Sequence, residues 1–254
     1  MARAFEDGRS AHQRIAAGLR RRIMRGDLEP GVQLPSTPAL MAQYEVAGTT
    51  VQNALALLKE EGLVHGQPGK GVFVTGSTQE AIEPSLYARP APVGEPYPWV
   101  SEAAKRSQQG SITLLDVAVV EPPFEVGRAL GLPEGGNAVL RKQVLLLDGE
   151  PTEFAMSYYP LNLAEGTAMM ARRKIRGGTP ALLAELGYPP VNVVDEVSSE
   201  IPTEEEVVAL QLPKDRPVLV TFRVVYAAGD RPIEASLLTK PAHHYRVRYQ
   251  FSAE

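Results

Sequence analysis

Apolar positions set three short helices near the start of the chain. Ile15, Leu19 and Ile23 recur every four residues with Ala16 beside them, which predicts an amphipathic helix over about 10–25. Gly26 stops it. Leu28–Pro35 holds two prolines and a glycine and reads as a connector. Ser36 or Thr37 caps a second helix with Leu40, Met41 and Tyr44 inward. After a turn at Glu45–Gly48, a third helix runs from Thr49 to about Glu61 with Val51, Leu55 and Leu58 inward. Thr49 and Gln52 have capping-box spacing, and Gly62 ends the helix. Leu63–His65 and Val72–Val74 then read as two strands of a small hairpin, with Gly66, Gly69 and Gly71 around Lys70 at its tip.

Residues 77–97 contain Pro84, Pro90, Pro92 and Pro96 and predict a semi-extended linker. Beyond it the pattern repeats at an offset of about 80 residues. Glu125–Leu130 is helical, followed by Leu132-Pro133, a strand from Val139, the turn Asp148-Gly149, Pro151 and a second strand. Glu204–Leu210, Leu212-Pro213, a strand from Val218, the turn Gly229-Asp230 and Pro232 repeat that order. A helix and one hairpin cannot bury an apolar face alone, so the two halves share one antiparallel sheet. A basic segment, Arg172–Arg176, and a helix near Thr179–Leu186 lie between them.

The net charge of −4 argues against a nucleic-acid partner until its distribution is considered. Residues 1–76 carry nine Lys/Arg against seven Asp/Glu, and the basic residues cluster at Arg20, Arg21, Arg22 and Arg25. Arg20 and Arg22 can meet phosphates, or can simply form a solvated helix end. At the start of the third helix Thr49, Thr50, Gln52 and Asn53 are small or amide-bearing, suited to thymine methyls and adenine edges. The hairpin tip, Gly69, Lys70 and Gly71, lets backbone approach DNA closely while the lysine meets phosphate or the minor groove. With Ser36 and Thr37 these are the candidate DNA-contacting residues.

The residues G-D-L-x-P-G (26–31), L-P-S (34–36), Y-x-V (44–46), T-T-V (49–51), A-L-x-x-L (54–58), E-G-L-V (61–64) and G-x-G-V-F-V (69–74) resemble the winged helix–turn–helix of the GntR family of bacterial transcription regulators. Where this chain has Pro38, Gly48 and Gln52, members of that family commonly carry arginines that contact phosphate and guanine. The second half is similar to the UTRA effector domain of the HutC-type subfamily: V-x-x-A-L-G-L-P-E-G (126–135), D-G-E-P (148–151), S-Y-x-P (157–160) and R-P-I-E-x-S (231–236). The resemblance implies a chorismate-lyase-like α+β domain that binds a small molecule between two hairpins and shifts the spacing of the DNA-binding heads. Arg141, Glu153, Ser157, Arg223, Glu234 and Ser236 are the candidate effector ligands. Relatives that take phosphorylated amino sugars use further arginines on the first hairpin, at positions matched here to Val144 and Leu146. That implies a less anionic effector.

The chain therefore reads as an α+β protein of three parts. A winged helix–turn–helix (1–76) is joined by the Pro-rich linker (77–97) to an antiparallel-sheet effector and dimerisation domain (98–254). The expected function is a ligand-responsive regulator, in the first instance a repressor binding a palindromic operator as a homodimer. One alternative is a constitutive DNA binder with a vestigial pocket. The other is an enzyme domain fused to a DNA-binding head. There are no cysteines, so no disulfide or thiolate metal site is expected. His12, His65, His243 and His244 lack metal-ligand spacing, and neither a G-x-S-x-G elbow nor a phosphate loop is present. The expected partners are double-stranded operator DNA and a small-molecule effector, with no cofactor, metal or catalytic residue. No leader or membrane span is read from the sequence, and a cytoplasmic location is expected.

Overall fold

A computed structural model describes residues 7–75, 80–82, 90–92, 95–212 and 216–250. Two compact units divide between Glu80 and Ala81. Most of the expected linker lies outside the described residues. Within it, β3 (Glu80–Ile82) is a strand that pairs with β10 (Tyr245–Val247), so this stretch is not a bare tether.

The first unit contains α1 (Ala11–Arg25), α2 (Thr37–Tyr44), α3 (Gly48–Glu60), β1 (Val64–Gln67) and β2 (Gly71–Val74). Ser10 precedes α1, and its N–H donates to Gln13 Oε1 at 2.9 Å. The apolar stripe Ile15, Leu19 and Ile23 meets Leu40, Val51, Leu55 and Leu58 in one buried cluster. Three short helices of marginal intrinsic stability are held together by this shared burial. The stretch read as a connector has its own role. Gly31 N–H donates to Val74 O at 2.9 Å, Val74 N–H to Val32 O at 2.9 Å, and Leu34 N–H to Val72 O at 2.8 Å. Residues 31–34 thus line the outer edge of β2 as a third extended segment of the wing.

Two local expectations fail here. Helix α3 starts at Gly48 with Ala47 as its N-cap and no side-chain cap, so Thr49 and Gln52 form no capping box. Met41 is 36% exposed and stays out of the core. Its sulfur lies 3.3 Å from where a Gly48 Cβ would sit, so it covers the turn into α3.

The second unit is built on a six-stranded antiparallel sheet of order β4-β5-β6-β9-β8-β7. Its strands are β4 (Gly110–Val120), β5 (Ala138–Leu147), β6 (Glu150–Pro160), β7 (Asn192–Glu200), β8 (Val218–Ala227) and β9 (Arg231–Pro241). The expected pair of hairpins, β5–β6 and β8–β9, meets at the centre, where Ser157 stands opposite Ser236. Helices α5 (Phe124–Ala129) and α8 (Glu204–Ala209) are the repeated helical patterns. Val126 and Leu130 of the first repeat pack on Leu140, Tyr158 and Ala235. Leu210 and Leu212 of the second pack on Val144, Phe154 and Val220. The opposite face is covered by α4 (Pro98–Lys105), the short α6 (Leu161–Ala164) and α7 (Gly178–Glu185). There Trp99 meets Leu145 and Ala155, and Leu183 and Met169 meet Val139, Tyr159 and Val225. Among the described residues no helix is long and apolar enough to cross a membrane.

Candidate nucleic-acid interface and ligand cavity

In the head, Ser36, Thr49, Gln52, Asn53, Gly69, Lys70 and Gly71 are exposed, and Thr37, Thr50, Arg20 and Arg22 are half-buried. Ser36 caps α2, its Oγ accepting from Ala39 N–H at 3.3 Å. Gln52 Nε2 donates to Thr37 Oγ1 at 3.0 Å. The first turn of α3 is therefore tied to the start of α2, and the Gln52 amide is held instead of being free to sample rotamers. Arg20 is engaged elsewhere. Its Nε donates to Glu61 Oε2 at 2.6 Å and its Nη2 to Glu61 Oε1, a bidentate pair that links α1 to the end of α3. This arginine is thus neither a merely solvated helix end nor a free phosphate contact in the head itself, because Glu61 holds it. Lys59 was not singled out from the sequence. Its ammonium lies 3.5 Å from where a Gly66 Cβ would sit, which adds a cation beside the wing.

In the second unit, strand register gathers the candidate residues into one row: Val117, Arg141, Ser157, Ser236, Arg223 and Asp195. The two arginines occupy equivalent places in the two repeats, each opposite a serine. They are satisfied differently. Arg223 donates from Nε and Nη2 to Asp195 at 2.7 and 2.8 Å. Burial works against its charge, but the Asp195 hydrogen bonds and charge hold the guanidinium above its ordinary value. Among the described residues Arg141 pairs with no carboxylate. Its Nη1 donates to Met169 O at 2.7 Å and Ala171 O at 3.0 Å, and its Nη2 to Arg173 O at 2.8 Å. Burial lowers its proton affinity. Arg141 therefore shapes the loop over the sheet, which carries the basic segment 172–176.

Adjacent rows complete the floor of a cavity of about 430 Å³. Ser157 donates to Ser236 at 2.8 Å, and Ser236 donates to Glu234 at 2.7 Å, because a carboxylate only accepts. Burial raises the Glu234 carboxyl above its usual range, against the opposing pull of Ser236 and Arg223. Tyr159 stands next to this network and donates to Thr179 Oγ1 at 2.8 Å, at the start of α7. Burial, with Glu234 adding to it, pushes the Tyr159 phenol well up. At the far end Glu153 pairs with Lys240. Burial brings the Lys240 ammonium down to about 7, and the carboxylate beside it opposes that change.

Arg141, Glu153, Ser157, Arg223 and Glu234 thus line one space, and Ser236 lies buried beneath it, joined to it through Glu234 and Ser157. Lys240, Gln143, Thr221 and the Gly177–Thr179 turn line it too and were missed. Lys240 was legible, since it continues the stride Glu234, Ser236, Leu238 along one strand face. Thr221 is 6% exposed, yet no hydrogen-bond signal marks it in the sequence. One inference is corrected. Val144 and Leu146 belong to the cluster on the opposite face, with Phe154 and Leu210. Register places Gln143 and Leu145 toward the cavity, so the apolar character of Val144 and Leu146 says nothing about effector charge.

Comparison with known proteins agrees with this geometry. Residues 105–246 match the UTRA domain, and residues 11–74 match the bacterial regulatory proteins of the gntR family. An uncharacterised HTH-type transcriptional regulator of Rhizobium meliloti is 29% identical over 94% of this chain and 93% of its own length. The HTH-type transcriptional repressor NagR of Bacillus subtilis is 23% identical, with 88% of this chain and 87% of that protein covered. A crystal structure described as a GntR-family transcriptional regulator superposes with a TM-score of 0.65 at 26% identity, covering 97% of this chain and 99% of that one. These relatives are regulators and not enzymes, which sets aside the reading of an enzyme with a DNA-binding appendage. The chain belongs to the GntR family of DNA-binding transcription regulators, in the HutC-type arrangement that pairs a helix–turn–helix head with a UTRA domain.

Proposed function

We propose that this regulator is a homodimeric repressor that binds a palindromic operator and is released by a small molecule held over Glu234. The observation that carries the reading is the cavity itself. A polar floor of Glu234, Ser157, Thr221 and Gln143 under apolar walls from Trp99, Leu114 and Leu238 is the composition of a small-molecule site. The open space around Glu234 weighs against a vestigial pocket filled by side chains.

The charges on the cavity floor support an effector class, while Lys174 and Arg176 line the same space from the loop above it. Arg223 is answered by Asp195, Lys240 by Glu153, and Arg141 by three carbonyls. Among the described residues Glu234 is hydrogen-bonded by hydroxyls alone, and Thr221 and Gln143 offer neutral groups. The effector that suits this set brings hydrogen-bond donors to Glu234, as hydroxyls or an amine.

Two-fold symmetry follows from the head, because one recognition helix reads a single half-site. Thr49, Thr50, Gln52 and Asn53 face base edges, and Lys70 with Gly69 and Gly71 meets the backbone or minor groove. Thermal-shift screening of the full chain against small polyols, amines and their phosphates tests the cavity. A hit lost in Glu234→Gln supports the reading. A hit unaffected by Glu234→Gln, Ser236→Ala and Lys240→Met places the ligand elsewhere.

A further inference from the structure

The wing hairpin is short. Strands β1 and β2 pair over four positions, and the turn between them is closed by Lys70 N–H donating to Gln67 O at 3.0 Å. The carbonyl of the same residue is held from outside the hairpin. Gln33 Nε2 donates to Lys70 O at 2.6 Å. Gln33 can reach because residues 31–34 run beside β2, with Gln33 itself bridged to Phe73. Gly71 is part of the same device. Its φ is +124°, and a Cβ there would stand 2.6 Å from Gln33 Nε2. Only glycine at 71 leaves the amide room to reach the tip.

We propose that Gln33 is a positioning residue for DNA binding: it fixes the Lys70 peptide, and so the direction of the Lys70 side chain, before DNA arrives. Gln33 is exposed, and the buried anchors of the hairpin are Val64 and Val74. Losing its side chain leaves those anchors in place and returns the tip to a mobile turn. The cost then falls on binding, where the tip must be ordered again. This inference rests on Lys70 meeting DNA.

The test measures binding of the full chain to a labelled mixed-sequence duplex across a range of salt concentrations. Gln33→Ala, the isosteric Gln33→Glu, Lys70→Ala and the double variant Gln33→Ala/Lys70→Ala are compared with the parent chain. Lys70→Ala weakens binding and flattens the salt slope by about 1. Gln33→Ala and Gln33→Glu weaken it about fivefold, equivalent to about 1 kcal/mol, lower the slope in the same direction and leave the melting temperature unchanged. The double variant is no weaker than Lys70→Ala, because Gln33 acts through the lysine. Additive losses in the double variant overturn the proposal, as does a Gln33→Ala chain that binds like the parent while Lys70→Ala is impaired. If Lys70→Ala has no effect, the wing reading itself is wrong and the role of Gln33 goes with it.

Discussion

At the scale of single residues, chemistry was more legible than partnership. The side chains of Glu234 and Ser236 were found by their stride of two along a strand. Arg141 and Arg223 were found too, but not that one is answered by a carboxylate and the other by a loop. That difference lies in the register of β7 and the path of residues 169–173, which no local pattern encodes. Val144 and Leu146 show the hazard of position matching. A shift of one residue along a strand moves a side chain to the other face of the sheet. Gln52, in the first turn of α3, is held by Thr37. Gln52→Ala is expected to change base preference at one position by about 1–3 kcal/mol, measured by competition between operator variants. A uniform loss across all sequences would mean that Gln52 contacts no base. Lys240 gives a pH prediction. Its folded pKa of about 7 lies below the ordinary 10.5, so the unfolded chain binds more protons between those values. This group therefore contributes a rise in stability with pH from about 7 to 10.5. Denaturant unfolding should show the parent chain gaining on Glu153→Gln/Lys240→Met between neutral pH and pH about 9. A constant difference would mean that the ion pair with Glu153 overrides burial.

At the scale of elements, the head was read nearly whole because its helices are amphipathic and its breaks are glycines and prolines. The exceptions are informative. Leu28–Pro35 looked like a connector because it holds two prolines and a glycine, but the backbone of residues 31–34 completes the wing. Helix α3 begins one residue early because Ala47 serves as its N-cap. Two stability predictions belong here. Ser36→Ala removes the α2 cap and should cost about 1 kcal/mol, seen as a lower melting temperature of the head. Leu58→Ala empties a site with 0% exposure at the centre of the head cluster and should cost about 2–5 kcal/mol. A loss under about 1 kcal/mol would mean that the cluster collapses around the gap. In the sheet domain the hairpins were legible from their turns and prolines, whereas the edge strands β4 and β7 were not. β7 is largely exposed and polar, so it lacks the apolar run that marks the inner strands.

At the scale of the whole molecule, the internal repeat was the most productive feature of the sequence. It required two hairpins in one sheet, and their junction at Ser157 and Ser236 is where the cavity floor forms. If a ligand over Glu234 favours one arrangement of a dimer, ligand and operator affinities are coupled reciprocally. Selection of genomic DNA fragments by the purified full chain, with Gln52→Ala in parallel, tests operator reading by a homodimer. A homodimeric operator reader enriches an inverted repeat whose two half-sites are symmetric, and the variant shows a changed base preference at the same position of both half-sites. Enrichment of no sequence, or of single half-sites without symmetry, would contradict it.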